Sequence, residues 1–282
     1  MNIRHLTLLV ISALLCGSGY SATKDEQSYD PYNGGGGKRS WAELPTHTND
    51  KGYIYLTHFT QVGGRSMRNY TFCFDPTKKA SHWVAYPYHR VYDGDIKRRD
   101  RFIYDPKIST LLQADLQKSY IGEFDRGHQL PSADRDATQH MNDQTFYSTN
   151  MTPQMATLNR HKWATIERAV RNQVCSDTLY IVSGADFTRE AGSTTDSNGK
   201  VCPLPAAYYK VLLRSRKGDS GKSVKQASPK ELQAIGLWVE HVAGAQLQYL
   251  SVEEVERRVG FNFFSDIPQE VKSSFDKSLW SL

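Results

Sequence analysis

Short runs of β-branched and aromatic residues, cut off by turn-forming pairs, constrain this chain more than any other feature. Tyr53-Ile54-Tyr55-Leu56, Tyr70-Thr71-Phe72-Cys73-Phe74 and Trp83-Val84-Ala85-Tyr86 are punctuated by Gly63-Gly64 and Asp75-Pro76. Such side chains fit a pleated surface and such pairs reverse the chain, so an antiparallel sheet is predicted. Leu179-Tyr180-Ile181-Val182-Ser183-Gly184, Tyr208-Tyr209-Lys210-Val211-Leu212-Leu213 and Leu237-Trp238-Val239 predict further strands. Residues 89–120 and the polar stretch from Arg214 to Lys230 read as loops. A helix is predicted from Met155 to Asn172. Asn159, Trp163, Glu167 and Arg171 follow one another at four-residue steps on one face, and Ile166, Val170 and Val174 mark an apolar stripe. Ser251-x-x-Glu254 is a capping box that opens a short helix through Val252, Val255 and Val259, closed by Gly260. No shift in composition divides residues 51–282, and no internal repeat stands out. The prediction is one α+β domain with a central antiparallel sheet and few helices. At 39% hydrophobic and 23% charged over 282 residues, the chain can bury a core, and general disorder is excluded.

The N-terminus reads as a leader. Arg4 and His5 precede an apolar run from Leu6 to Cys16 and a small-residue exit through Gly17, Ser18, Gly19, Ser21 and Ala22. This is the pattern of a secretory signal over residues 1–21, and the run is too short to span a membrane. Export to the periplasm or the medium is expected. Lipid anchoring at Cys16 is the weaker alternative, because Leu15 stands where a small residue is wanted. Residues 22–50, which include Gly34-Gly35-Gly36-Gly37, read as a flexible linker. Beyond the leader the cysteines are Cys73, Cys175 and Cys202. An oxidising compartment would let one pair close, and the residues assign no pair.

The most informative stretch runs from Phe124 to Glu167. It holds Asp125-Arg126-Gly127-His128, then Ser148-Thr149-Asn150-Met151-Thr152-Pro153-Gln154, then Leu158-Asn159-Arg160-His161-Lys162-Trp163-Ala164-Thr165-Ile166-Glu167. A histidine, an arginine, two asparagines and a glutamate are thus gathered between a loop and one helix face. Phosphodiester hydrolysis needs such parts: a base for water, cations for charge on phosphorus, and a hard metal at the leaving oxygen. Each residue alone has a plainer reading, as a packed histidine, a helix-start asparagine or an exposed helix glutamate. Their order and spacing together favour chemistry.

These motifs resemble the DNA/RNA non-specific endonuclease family, the ββα-metal nucleases with a D-R-G-H motif. Asn-x-x-x-Trp-x-x-x-Glu in the helix matches too, and the likeness extends over roughly residues 53–275 through Trp83-Val84-Ala85-Tyr86, Pro205 to Val211 and Val252 to Gly260. The resemblance implies a ββα-metal site and hydrolysis of DNA and RNA. It implies His128 as general base, with Gly127 letting the backbone turn sharply to present it. Asn159 would be the one direct ligand of a hydrated divalent ion, Mg²⁺ or Mn²⁺, with Glu167 holding metal-bound water. Arg126 would contact the phosphate or the transition state, Asn150 would orient the base or substrate, and Asp125 would brace the loop. In Lys97-Arg98-Arg99-Asp100-Arg101, upstream of Asp105-Pro106, Arg99 and Arg101 are both eligible as the phosphate-binding arginine, against the plain reading of a solvated charge run. Water rather than a 2′-hydroxyl would attack, leaving 5′-phosphate ends.

Absent motifs narrow the field. The chain has no Cys-x-x-Cys pair, no His-Glu-x-x-His, no phosphate-cradling P-loop and no Gly-x-Ser-x-Gly elbow. Zinc hydrolases, P-loop enzymes and α/β-hydrolases therefore lack their signatures. Two rivals stay open: a nucleic-acid-binding protein without catalysis, and a phosphodiesterase for small phosphodiesters. Nothing in the residues speaks for or against a homodimer or an inhibitor protein.

Overall fold

The computed structural model describes residues 41–46 and 52–282. The leader at residues 1–21 lies outside the described residues, as does most of the expected linker. Within that linker, residues 41–46 depart from the expectation. Ala42 and Leu44 are buried, Glu43 accepts two hydrogen bonds from Arg68, and the Arg68 guanidinium lies 4.2 Å over the Trp41 ring.

Eleven strands form among the described residues: β1 (Ile54–Val62), β2 (Arg65–Asp75), β3 (Ala80–Tyr88), β4 (Phe124–His128), β5 (Met151–Met155), β6 (Leu179–Asp186), β7 (Ser193–Thr195), β8 (Val201–Pro203), β9 (Ala207–Ser215), β10 (Leu232–Glu240) and β11 (Gln248–Leu250). Seven make one sheet in the order β1-β2-β3-β6-β9-β10-β11, and every neighbouring pair is antiparallel. The fold class is α+β, as the β-branched and aromatic runs predict.

Both faces of this sheet are packed, and the two-residue period of the strands sorts side chains between them. Phe72, Phe74, Val84, Tyr86 and Leu212 enter one core with Trp163, Ile166 and Val170. Cys73, Trp83, Ala85, Val211 and Leu213 enter the other with Val252, Val255 and Val259. That explains why β3 is buried along its whole length and why Trp83-Val84-Ala85-Tyr86 within it reads as an apolar run.

Among the described residues four α-helices flank the sheet: α1 (Gln139–Gln144), α2 (Ala164–Arg171), α3 (Val252–Val259) and α4 (Gln269–Lys272). In α3, Ser251 accepts from the Glu254 backbone N–H, and Gly260 closes the helix at φ 74°. Glu254 turns its carboxylate to Arg257 and Arg258, so only the Ser251 half of the expected capping box forms. The helix expected over 155–172 opens at Ala156-Thr157, passes through a π-helical turn, Leu158–Trp163, and continues as α2.

The strands β3 and β6 are neighbours in the sheet, yet the chain leaves it between them for residues 89–178. This excursion carries the ribbon β4–β5, α1, the π turn and α2. Every singled-out residue from Arg98 to Glu167 therefore sits on one side of the sheet, on a part built for something other than closing it. Cys73, Cys175 and Cys202 are all free thiols. No helix of the described residues is long and apolar enough to cross a membrane.

Candidate active site

Asp125-Arg126-Gly127-His128 is a strand rather than a loop. It pairs with β5 in register from Phe124 opposite Met155 to His128 opposite Met151. Gly127 does not make the sharp turn expected of it, and its φ is not positive. Its lack of a side chain serves close packing: a Cβ there would lie 2.5 Å from Gln154 Oε1 and 2.6 Å from Gln154 Cβ. The two strands can approach only because Gly127 is bare.

His128 ends β4. Its ring meets Phe146 edge-on at 4.9 Å and Phe102 at 5.9 Å. Its Nε2 is sealed from solvent and has no hydrogen-bond partner among the described residues. Burial, then the positive charge of Arg98, push its pKa down to about 3. A backbone hydrogen bond at Arg126 pulls the other way, and the Arg126 charge lowers it further. The near-neutral titration expected of an unperturbed histidine is thus replaced by a ring that stays uncharged throughout the physiological range.

Asp125 faces the π turn. Asn159 Nδ2 donates to its Oδ2 at 2.9 Å, and Arg160 grips both carboxylate oxygens at 2.8 and 2.6 Å. Burial raises the Asp125 pKa, but the bonds from Arg160 and Asn159 outweigh it and hold the carboxyl below its usual range. With its nitrogen committed to Asp125, Asn159 offers a carbonyl oxygen that accepts from no described residue. The π turn contains both residues that Asp125 holds. Such turns close i to i+5 rather than i to i+4, so Asn159 falls out of phase with the regular face that carries Glu167. The four-residue alignment expected from the sequence is altered to that extent.

Arg126 lies over the Phe102 ring at 3.6 Å and donates to the carbonyl of Leu116 at 2.9 Å. It lines an open cleft of about 560 Å³ together with Asp125, Asn159, Arg160, Phe102 and Arg98. Arg98 is the functional candidate that spacing missed. It reaches over Phe146 at 5.1 Å, is braced by Asp100 at 2.6 Å and Ser132 Oγ at 3.2 Å, and its charge is felt by both His128 and Glu167. Arg99 and Arg101 are exposed and do not line the cleft, and Arg99 comes only within 3.9 Å of Asp143. Asp105, after the cluster, is a buried anchor that accepts from His58 at 2.7 Å and Thr149 at 2.8 Å. All three clustered arginines are exposed, only Arg98 of them lines the cleft, and residue order carries no signal for that.

Asn150 is fully buried and does not line the cleft. Its amide accepts from the Leu130 N–H at 2.9 Å and donates to the carbonyls of Leu130 at 3.0 Å and Thr145 at 2.7 Å. It pins the backbone two residues after His128, so any effect on the base is exerted through the chain.

Glu167 lies on α2. Burial raises its pKa to about 7, Lys210 opposes that most, Asp134 adds to it, and Arg171 and Arg98 oppose it. Among the described residues no cluster of three His, Cys, Asp or Glu side chains could hold a metal. The donor set that is present is an amide oxygen at the cleft wall and a carboxyl set back from it. That set suits a hard, strongly hydrated ion that takes few protein ligands, and does not suit a closed zinc cage.

Fold and site together define a phosphodiester-cleaving hydrolase of the ββα-metal type. A family model described as DNA/RNA non-specific endonuclease matches residues 50–270, and the chain belongs to that family. It is a nuclease, and metal dependence is typical of its relatives. A nuclease of Nostoc sp. is 28% identical, covering 74% of this chain and 76% of its own. A nuclease of Serratia marcescens is 27% identical, over 73% and 76%. Human mitochondrial endonuclease G is 26% identical, over 72% and 70%. A chain of the crystal structure of the EndoG/EndoGI complex superposes with a TM-score of 0.56 at 22% identity, covering 73% of this chain and 87% of that one, and shares the fold.

Proposed function

We propose that this protein is an exported, Mg²⁺-dependent endonuclease that hydrolyses DNA and RNA by attack of water on phosphorus. The observation that carries this reading is that Arg98, Arg126 and the unpartnered carbonyl of Asn159 line one cleft, with the neutral His128 ring packed on its Phe102 wall. His128 takes the proton of the attacking water. Arg126 and Arg98 receive the phosphate and neutralise charge as it develops. Phosphate bound there would offset two positive charges that now depress His128, raising its basicity as substrate arrives. Asn159 Oδ1 would hold the divalent ion, and Glu167 would hold water bound to it. The ion, when bound, supplies positive charge at the phosphate and the leaving oxygen. Mn²⁺ has the same preference for oxygen and would substitute.

Because no 2′-hydroxyl takes part, DNA and RNA are both substrates; the P–O3′ bond breaks, the 3′-oxygen leaves and takes a proton from water, and the products carry 5′-phosphates. Contacts to phosphate rather than base edges make cutting indifferent to sequence. The leader at residues 1–21 supports export, and mass measurement of the mature N-terminus in a culture fraction checks it. Supercoiled plasmid and structured RNA, incubated with Mg²⁺ or with chelator, test the activity. Cutting of both only with Mg²⁺ is expected. Binding without cutting, or cleavage of small phosphodiesters alone, would overturn the reading.

A further inference from the structure

Among the described residues three aromatic side chains line the cleft, and two of them are closed to a ligand. Phe102 is 9% exposed and lies under the Arg126 guanidinium at 3.6 Å. Tyr120 is 4% exposed. Phe124 is only half-buried, and it lines the cleft beside Asp125, Ala156 and Asn159.

The backbone around Phe124 is fixed. The residue pairs with Met155 across the ribbon, Ser119 Oγ donates to its carbonyl at 2.9 Å, and the Ala156 N–H donates to the Glu123 carbonyl at 2.9 Å. His241 meets the ring edge-on at 6.2 Å. That histidine accepts from the Met155 N–H at Nε2 and donates from Nδ1 to the Pro205 carbonyl, both at 2.8 Å, so its own plane is set. Gly122, at φ 86°, also lines the cleft and brings no side chain over the ring. Even a Cβ there would touch it, at 3.7 and 3.8 Å.

Alternate residues of a strand share a face, so Phe124, Arg126 and His128 follow one another along β4 about 7 Å apart. Their contacts agree: Arg126 and His128 both meet Phe102, and Phe124 packs against the cluster that contains it. One face of one strand thus presents an open aromatic ring, a cation and a neutral imidazole, in that order. A nucleotide under attack has its parts in the same order: a flat base, a phosphate, and beyond it the water. A lone half-exposed phenylalanine is ordinary on a protein surface. This one is braced by His241, left bare by a glycine and set one step along the face from a phosphate-binding arginine.

We propose that Phe124 is a base-stacking subsite of the cleft, holding the nucleobase next to the scissile phosphate against its ring. This rests on the phosphate-binding role given to Arg126 above. Every base has a π face, so stacking adds grip without choosing sequence. A base in a duplex must leave its neighbours to reach the ring, whereas a base in a single strand is free to do so. The ring therefore favours single strands and loops over unbroken duplex.

The test uses the full mature protein in chelator, with a short single strand of DNA and the same strand lacking its bases. Wild type should bind the abasic strand about 5 to 100-fold more weakly, the range for one base stacked on an aromatic side chain. Phe124→Leu should lose that factor on the native strand and nothing further on the abasic one, and Phe124→Tyr, which keeps a ring, should bind as wild type does. Equal affinity of wild type for the two strands would overturn the proposal without any variant. So would an equal loss on both strands in Phe124→Leu, which would make the ring a support of the cleft wall. Should Phe124→Leu fail to fold, wild type is irradiated with a strand carrying 5-iodouracil and the attachment is mapped by mass spectrometry. Attachment at Phe124 supports the proposal, and attachment only elsewhere, or none, overturns it. Affinity for the native strand that does not fall with salt, or no cutting of it when Mg²⁺ is added, would instead sink the reading of the cleft on which this rests.

Discussion

Asn159 gives its amide nitrogen to Asp125 Oδ2 at 2.9 Å, and the same carboxylate is gripped by Arg160 at two points. The amide is therefore oriented before anything binds, with its oxygen left over. An amide that could rotate would present nitrogen to a cation half the time. In the proposed mechanism the first residue of the Asp125–His128 motif serves the ion, while its last serves the water.

Asp125→Ala should raise the Mg²⁺ concentration for half-maximal plasmid cutting by about 10 to 100-fold, the range for a residue that orients a ligand. Asn159→Ala should be more severe. Arg160→Ala should be mild, because an exposed partner contributes little. A Mg²⁺ titration of the three variants checks the order, and an unchanged half-point in Asp125→Ala would remove it from this role.

His128→Ala should lose about 10² to 10⁴-fold in turnover, the usual contribution of a general base, while duplex binding in chelator stays near wild type. Turnover close to wild type would take His128 out of the mechanism.

The same histidine makes stability depend on pH. Its folded pKa, about 3, lies below the ordinary 6.5. The unfolded chain therefore takes up a proton first as pH falls. The stability this implies is intact above 6.5 and is lost progressively down to about 3. His128→Gln cannot titrate, so wild type should lose about 2 kcal/mol relative to it between pH 7 and pH 5. Urea unfolding of both proteins at the two pH values measures the difference, and parallel behaviour would mean that His128 is accessible and ordinary.

Gly127→Ala should cost about 1–3 kcal/mol, as overpacking does, and should displace His128 with β4. Gln154→Ala should not rescue it, because Gln154 Cβ itself stands 2.6 Å from the new methyl position. Rescue in urea unfolding would mean that only the flexible amide end obstructs.

The main sheet was legible because its strands are packed on both faces and so appear as apolar runs such as Tyr70–Phe74 and Tyr208–Leu213. The ribbon β4–β5 was not. Asp125-Arg126-Gly127-His128 has no alternation of apolar and polar residues, its partner strand contains Pro153, and the pairing joins residues distant in sequence. The motif named the chemistry while hiding the conformation. Lys210 was hidden for the opposite reason: it stands in a clear strand, and nothing in the run reveals that a lysine there is fully buried. Asn150 was legible as part of the motif, but its three backbone bonds are tertiary and place it behind the base rather than beside the substrate.

The basic cluster gives the sharpest separation between residue order and geometry. Arg98 reaches the cleft and acts electrostatically on His128 and Glu167, whereas Arg99 and Arg101 face solvent beside it. An arginine that meets charge developing on phosphorus is most effective in the transition state, so its removal lowers turnover more than binding. Arg98→Ala should therefore lose roughly 10² to 10³-fold in single-turnover cutting with Mg²⁺, the scale seen for a preorganised donor. Duplex affinity in chelator should change little. On this reading Arg99 and Arg101 act on flanking backbone phosphates. Arg99→Ala and Arg101→Ala should keep turnover within a few-fold of wild type. Removing one arginine–phosphate pairing should flatten the slope of log affinity against log salt by about 0.9 for duplex DNA, with the pattern of cut sites unchanged. Measuring all three variants by both assays separates the roles. A large turnover loss in Arg99→Ala or Arg101→Ala, with Arg98→Ala near wild type, would mean that the cluster turns over when substrate binds and that the inward arginine changes identity.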